Sequence, residues 1–362
     1  MSSPRRILIV RLSHLGDVCH ALPVFHALRA SEPEARLAWV VQPEFAGVLE
    51  GLPGLERVFP FDRRGGWRAW RDLRDALREW APDQTVDAQG NFKSAFAARL
   101  SGAARRSGLH RADWTERHAA LLCNDRAPER ALGTHAMDRM FALARHVAPG
   151  FRPEDARLDP VVSAEDLEAA EIAWVRRVGA DAATILAPGD PSDVRSWPVE
   201  RCAELARRES AEGRGVLVLT GPGEREVGER LAGTLRTYEH VRHWIGQSGQ
   251  RELAAFFTVA AARGARLVSR DGGTLHLAVA CGLRAIALHG PQDPRRTGPW
   301  PVPLGGAQDR HRLVAAAQPP ACSPCLRRTC THERGPVCMT ELDVERVLAA
   351  LRESREARTV AV

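Results

Sequence analysis

The stretch whose residue types most plainly allow chemistry is Asp271-Gly272-Gly273-Thr274-Leu275-His276. An acid, two glycines and an imidazole lie between the apolar run Arg266–Val268 and the Ala-rich Thr274–Cys281, followed by a second apolar run at Ala285–Leu288. Strand, glycine-rich turn, short helix, strand is one βαβ unit, with its turn at the carboxyl end of a strand, where ligands bind in open α/β sheets. The glycines let backbone N–H groups approach a phosphate, and the helix start adds a partial positive charge. Asp271, before the helix, and His276, one turn inside it, are placed to face one crevice. The same Asp-Gly-Gly is also an ordinary turn and cap signal. Two further glycine-containing turns follow expected strands, Ala187-Pro188-Gly189-Asp190 and Thr220-Gly221-Pro222-Gly223-Glu224. Three such turns at one sheet edge read as the wall of a nucleotide site built from backbone amides.

Other candidates are scattered along the chain. Ser13-His14-Leu15-Gly16-Asp17 is a turn between a first strand and a helix, which suits a phosphate or a sugar; it is neither a G-x-G-x-x-G fingerprint nor a P-loop. His14 and His20 flank Asp17 and could touch sugar hydroxyls, or serve as surface or capping residues. Arg63, Arg64, Trp67 and Arg68 form a basic-aromatic patch that suits an anionic phosphoglycolipid, or merely a solvated helix start. Of the 51 Lys and Arg residues, 50 are arginine, and the one lysine is Lys93. A lysine kept against that drift points to a need for a compact ammonium, unless it is a chance survivor. Cys322-x2-Cys325-x4-Cys330-x7-Cys338 can hold zinc or an iron–sulfur cluster, or remain reduced or paired thiols; the spacing departs from the CxxC…CxxC ribbon. Cys19, Cys123, Cys202 and Cys281 read as small buried hydrophobes.

These residues must be held by a framework, and the periodicity supplies one. Strands are predicted at Arg6–Leu12, Leu37–Val41, Arg57–Phe59, Gln84–Asp87 and Ala104–Gly108. Between them fall helices at Val18–Ala30, Trp67–Trp80 and Phe92–Leu100. A helix at Thr134–Val147 precedes the Pro-rich, polar segment 148–160, which marks a domain boundary. After a helix at Ala164–Val178, strands at Thr184–Leu186, Val216–Leu219, Arg266–Val268 and Ala285–Leu288 alternate with helices at Val199–Ser210, Glu224–Leu235, Glu252–Ala262 and Thr274–Cys281; Glu341–Arg352 is the last helix. Strict alternation means parallel sheets covered on both faces. At 362 residues the chain makes two such domains, 1–158 and 159–362, with a cleft expected between them.

The net charge of +6 and a pI near 9.2 suit an anionic partner, or reflect compositional drift. Nucleic acid is set aside, because no recognised binding motif appears and the basic residues are spread over the chain. No apolar run reaches bilayer-spanning length, and MSSPRRILIVRLSHLGD is too short and too interrupted in its apolar part for a signal peptide. A cytoplasmic protein is the expectation.

ILIVRLSHLGDVCHALPVFHALR, VDAQGNFKSA, PGDPSDVRSWPVERCAEL, DGGTLHLAVACGLRAIALHGPQDPRRTGPW and the C-terminal CSPCLRRTC…CM resemble, in order and over nearly the whole chain, blocks of glycosyltransferase family 9, the bacterial heptosyltransferases of lipopolysaccharide core synthesis. The resemblance implies a GT-B fold: two Rossmann-like, doubly wound parallel-sheet domains facing a central cleft, the first for the acceptor and the second for the nucleotide sugar. It implies an ADP-heptose donor, a Kdo-lipid A type acceptor and inverting transfer, with no cofactor required. Peripheral contact with the inner membrane surface would follow. On this resemblance Asp17 is the catalytic base, and it could cap its helix as well. Asp271, Gly273, Thr274 and His276, with Gly189, bind the donor. Gly272 stands where the family usually has Thr, so a hydroxyl contact is lost or supplied by Thr274. Arg195 stands at a usual Lys. Lys93 matches a family lysine on the acceptor side; the patch residues Arg63 and Arg64, and His14 beside Asp17, are expected acceptor contacts by their own chemistry. The absence of any Asp-x-Asp agrees with metal-independent transfer. A transferase of the same family with another donor or acceptor, a GT-B sugar-nucleotide epimerase, and an idle sugar-nucleotide-binding protein are the alternatives.

Overall fold

The computed structural model describes residues 4–179, 181–247, 249–302 and 309–359. The chain forms two compact units, Met1–Val162 and Ser163–Val362, each with its own sheet.

The first unit runs β1 (Arg6–Val10), α1 (Leu15–Ser31), β2 (Arg36–Val41), β3 (Leu55–Pro60), α2 (Gly66–Trp80), β4 (Gln84–Asp87), α3 (Phe92–Leu100), β5 (Arg105–Gly108), β6 (Asp125–Arg126) and α4 (Ala136–Val147). Its six strands are all parallel in the order β3-β2-β1-β4-β5-β6. Ile7 to Val10 and Leu37 to Val41 are buried without interruption, as strands covered on both faces must be. α2 packs by a stripe, since Leu73, Leu77 and Trp80 are its only fully buried residues and recur at helical spacing. They join Leu8, Val10, Ala38 and Val40 in one core.

The second unit runs α5 (Ala164–Arg177), β7 (Thr184–Ala187), α6 (Val199–Ala211), β8 (Val216–Leu219), α7 (Arg225–Leu235), β9 (Val241–Trp244), α8 (Gln250–Ala262), β10 (Arg266–Arg270), α9 (Gly273–Ala280), β11 (Arg284–Leu288), α10 (Pro294–Thr297), β12 (Arg312–Val314), α11 (Val337–Thr340) and α12 (Val344–Thr359). The strands are again parallel, in the order β12-β11-β10-β7-β8-β9. α12 is tied to the sheet by polar bonds. Arg266 Nε and Nη2 donate to Ser354 Oγ and O at 2.7 and 2.6 Å, and Arg355 pairs with the fully buried Glu209.

Both sheets therefore have the doubly wound order in which the winding direction reverses once, between β1 and β4 in the first unit and between β7 and β10 in the second. The crevice outside those strand ends is the ligand-binding position of such sheets. β6, β9 and β12 went unforeseen in the sequence. All three are short edge strands carrying polar or charged side chains, so they lack the continuous apolar run of an inner strand. Helix α1 also starts earlier than predicted: Val18 N donates to His14 O at 3.0 Å, which places Asp17 inside the first turn rather than in the loop.

Candidate active site

In the first unit the reversal point gathers the connections after β1 and β4. Asp17 Oδ2 accepts from Arg11 Nη2 at 2.7 Å, and Arg11 Nη1 donates to Ala88 O at 2.5 Å, so the residue just after β1 is anchored to the chain just after β4. Asp17 remains about one-third exposed, open enough to meet a substrate hydroxyl. It makes no capping bond; His14 occupies the cap position with φ +65° and is exposed. His20, expected near sugar hydroxyls, instead lies in the interior, its ring 5.9 Å from that of His135. Asp87 ends β4 fully buried and shapes the next turn, accepting from Gln89 N and Gly90 N at 2.9 Å each. Burial pushes its carboxyl up to about 6, against the pull of those bonds, of Ser94 and of Arg11.

Lys93 is exposed in the first turn of α3. The amides beside it are less free than the sequence suggested. Phe92 N donates to Glu116 Oε2 at 2.7 Å and Ser94 N to Asn91 Oδ1 at 3.0 Å, so a protein carboxylate and a capping amide already fill this helix end. Arg63 and Arg64 follow β3 in a short turn capped by Asp62, both exposed. The two helix starts are joined by an aromatic ladder: Phe61–Trp70, Trp70–Phe96 and Phe96–Phe92 have ring centroids 4.3, 5.1 and 6.0 Å apart. Phe92, at the end of this ladder, is 57% exposed, and Trp67, in the first turn of α2, is 74% exposed.

In the second unit the reversal point joins the connections after β7 and β10. His276 Nε2 lies 3.2 Å from Asp271 Oδ1, both residues under 9% exposed, and Thr297 Oγ1 donates to Asp271 Oδ2 at 3.3 Å. Burial opposes ionisation of Asp271, but the bond and charge of His276, with the nearby Arg195, hold its carboxyl below the ordinary range. Gly272 is the extended residue before α9, and Gly273 and Thr274 open the helix, so their amides face outward at its start. Arg195 is clamped in a fork by Asp193, with Nε–Oδ1 2.9 Å and Nη2–Oδ2 2.5 Å; Arg270 Nη1 reaches the same carboxylate at 3.2 Å. Asp193 is pulled down to about 2, its two arginine partners outweighing burial. Gly189, at φ +81°, is required here on two counts: the left-handed backbone, and a Cβ that would collide with the Arg270 guanidinium. Asp271 and His276, five residues apart in sequence, thus meet at the start of α9.

Sequence reasoning missed three residues in the second unit. Asp193 and Arg270 form the ion cluster with Arg195. His289, just after β11, is 4% exposed, and neither ring nitrogen has a partner among the described residues. Burial pushes it down to about 4, so it is neutral and carries one N–H into this polar environment. Only His289 carried a sequence signal, standing before Gly290 at the end of the apolar run Ala285–Leu288. The four clustered cysteines line a small pocket whose wall also includes Val194, beside Arg195, and Pro291, close after His289.

Residues 70–334 match the model of glycosyltransferase family 9 (heptosyltransferase). The chain belongs to that family. Lipopolysaccharide heptosyltransferase 1 of Pseudomonas aeruginosa is 30% identical over 96% of this chain and 97% of its own length. Among solved structures, the Escherichia coli heptosyltransferase WaaC with ADP has a TM-score of 0.71 at 24% identity, covering 96% of this chain and 99% of that one. Escherichia coli ADP-heptose lipopolysaccharide heptosyltransferase II has a TM-score of 0.75 at 20% identity, covering 98% and 99%. The two consecutive Rossmann-like units are thus those of a GT-B glycosyltransferase. The protein is an enzyme of the heptosyltransferase family, and the site residues above are its candidate machinery.

Proposed function

We propose that this heptosyltransferase moves heptose from ADP-heptose to the inner core of a Kdo-lipid A type acceptor, with inversion. The observation that carries the reading is the placement of the candidate residues: Asp17 and Lys93 follow the two strands at the reversal point of one sheet, and Gly189, Arg195 and Asp271–His276 follow those of the other. In this reading Asp17 takes the proton of the acceptor hydroxyl as that oxygen attacks the anomeric carbon. The bond to the diphosphate breaks, and the departing charge meets Arg195, the amides of Gly272, Gly273 and Thr274, and an N–H of His276. Asp271 holds the His276 ring in place. Arg195 must exchange part of its fork with Asp193 for phosphate, while Arg270 keeps Asp193 compensated. Arg63, Arg64, Lys93 and His14 serve the anionic acceptor.

The exposed Trp67 and Phe92 beside those cations suit the interface of an anionic bilayer, where aromatic rings and basic side chains both settle. No helix among the described residues is long and apolar enough to cross a membrane.

The test is transfer from ADP-heptose to purified Kdo-lipid A, with mass detection of the product, alongside UDP- and GDP-sugars. A product one heptose heavier, formed equally with chelator or with added magnesium, is the expected result. Tight ADP-heptose binding without turnover on any acceptor would favour an idle binding protein, and strict dependence on magnesium or manganese would refute the metal-independent donor site.

A further inference from the structure

The cysteine cluster has no part in the proposed transfer, yet the fold brings its members to one place. Cys322, Cys325, Cys330 and Cys338 all line a single pocket of about 20 Å³, with His332 at its rim. That is room for one water-sized body. Two separate contacts carry the convergence. The Cys322–Cys325 turn is pinned to the residues after β11: Ser323 Oγ donates to Gly290 O at 2.5 Å and Leu326 N to Pro291 O at 2.7 Å. Cys338, on α11, meets the same place from the other side, since a Cβ on Gly290 would stand 3.0 Å from its Sγ. Gly290 is thus the floor on which the CxxC turn and the last cysteine both rest.

The segment that supplies three of the four thiols has little else to hold it. Residues 315–336 contain no helix and no strand. Cys322 and Cys330 are exposed, and so are most of their neighbours. An irregular stretch of this length without an apolar core of its own is the usual setting for a covalent or metal staple. Four thiolates around a divalent ion leave two net negative charges. The same segment carries Arg327, Arg328 and Arg334 against the single Glu333, which offsets them.

We propose that Cys322, Cys325, Cys330 and Cys338 form a tetrathiolate site for one structural zinc or ferrous ion, which staples residues 315–336 to the end of β11. Sulfur-rich tetrahedral sites select these ions over magnesium and calcium. Among the described residues no three candidate ligands already form a coordination sphere. Binding therefore includes a local gathering of the thiols around the ion, each losing its proton to solvent as the metal–sulfur bond forms. Such a gathering is open to three of them, because they sit on turns rather than on fixed helices or strands.

The experiment uses the purified full chain. Its zinc and iron content is measured by elemental analysis. The metal-free, reduced protein is then titrated with Co²⁺, followed by thiol counting with a disulfide reagent. The expected result is one ion per chain, thiolate-to-cobalt charge-transfer bands in the near ultraviolet with intense ligand-field bands in the red, and loss of reagent access to the clustered cysteines. Cys325→Ser should weaken Co²⁺ binding more than tenfold, and Cys202→Ala, in the apolar core, should leave it unchanged. If Cys325→Ser fails to fold, the parent titration still decides. Absence of the charge-transfer bands, or unprotected thiols at saturating metal, would overturn the site.

Discussion

Asp17 is held by a single arginine, and that contact shapes what its loss should do. Arg11 bonds one carboxylate oxygen and the Ala88 carbonyl, so the side chain stays oriented while its other oxygen is free. Asp17→Asn preserves shape and most of this bonding but cannot accept a proton. Turnover should fall by roughly 100-fold or more, the usual worth of a general base, with the KM for donor nearly unchanged. Activity within a few-fold of the parent would remove Asp17 from the role. Lys93 makes a second test at this scale. It is the only lysine, exposed beside a helix end whose amides are already taken by Glu116 and Asn91. With the amides on either side of it already bonded, its contribution to the acceptor should come chiefly from the ammonium. Lys93→Arg should raise the acceptor KM several-fold and leave donor KM alone, because a planar fork places its charge differently from a point ammonium. Steady-state kinetics with each substrate varied in turn reads this out; identical constants would mark the lysine as an accident of composition.

At the level of elements, β4 carries a cost that the rest of the first sheet offsets. Asp87 is wholly buried at its end, with its carboxyl raised from 3.8 to about 6. A raised folded value means that the folded chain holds the proton more tightly than the unfolded chain. This contribution to stability is therefore fully present below about pH 4 and is lost as pH rises through about 6. Asp87→Asn keeps the acceptor oxygen for Gln89 N and Gly90 N and removes the charge. It should abolish that slope and, above about pH 7, stabilise the protein by up to about 3 kcal/mol. Urea midpoints of parent and variant at about pH 5 and about pH 8 check the sign; a variant less stable than the parent at the higher pH would contradict it.

The same elements show what the sequence could convey. The inner strands were legible because continuous apolar runs flanked by glycine leave few other readings, and the Asp271–His276 pair was legible because both groups belong to one turn and the helix it opens. Asp193, Arg270 and His289 were not, since they come from the connection after β7, the last residue of β10 and the residue after β11. Only the order β11-β10-β7 makes them neighbours. Glu116 was hidden for the same reason: it reaches α3 from the connection between β5 and β6. The edge strands were hidden because half-solvated backbone needs no apolar signature.

For the whole molecule, the surface around α2 and α3 makes a claim about where the enzyme works. Trp67 and Phe92 stand out among Arg63, Arg64 and Lys93 at the starts of α2 and α3, and Phe92 stacks on Phe96 at the end of the ladder. Binding to vesicles containing anionic lipid should be measurable by sedimentation, weaken as salt rises, and drop several-fold in Trp67→Ala plus Phe92→Ala. Equal binding to neutral vesicles, or no effect of the double change, would detach this face from the membrane.

The division of labour between the units can be tested by separating them. Every residue assigned to the donor lies in Ser163–Val362, and so does the framework that positions it. The core of that unit includes Leu186, Val218, Val268, Ile286 and Leu288 from the sheet, with Val344, Val347, Leu348 and Leu351 of α12 packed on them. Polar ties close the same unit on itself: Trp197 Nε1 donates to Leu342 O at 2.8 Å, and Arg355 and Arg214 compensate Glu209. Ser163 caps α5 at its start, with Asp166 N donating to Ser163 Oγ at 3.1 Å, so a cut just before it leaves a helix with its cap intact. About 200 residues with one sheet and one core is ample for independent folding. The fragment 163–362 should unfold cooperatively and bind ADP within roughly tenfold of the full chain. It should transfer no sugar, because the base and the acceptor residues are absent. Calorimetry gives the affinity, and the Asp271→Asn version of the same fragment should lose most of it. A folded fragment that does not bind ADP would show that the first unit supplies part of the donor site, and the assignment of Arg195, Gly189 and the Asp271–His276 loop as sufficient for the donor would fail with it.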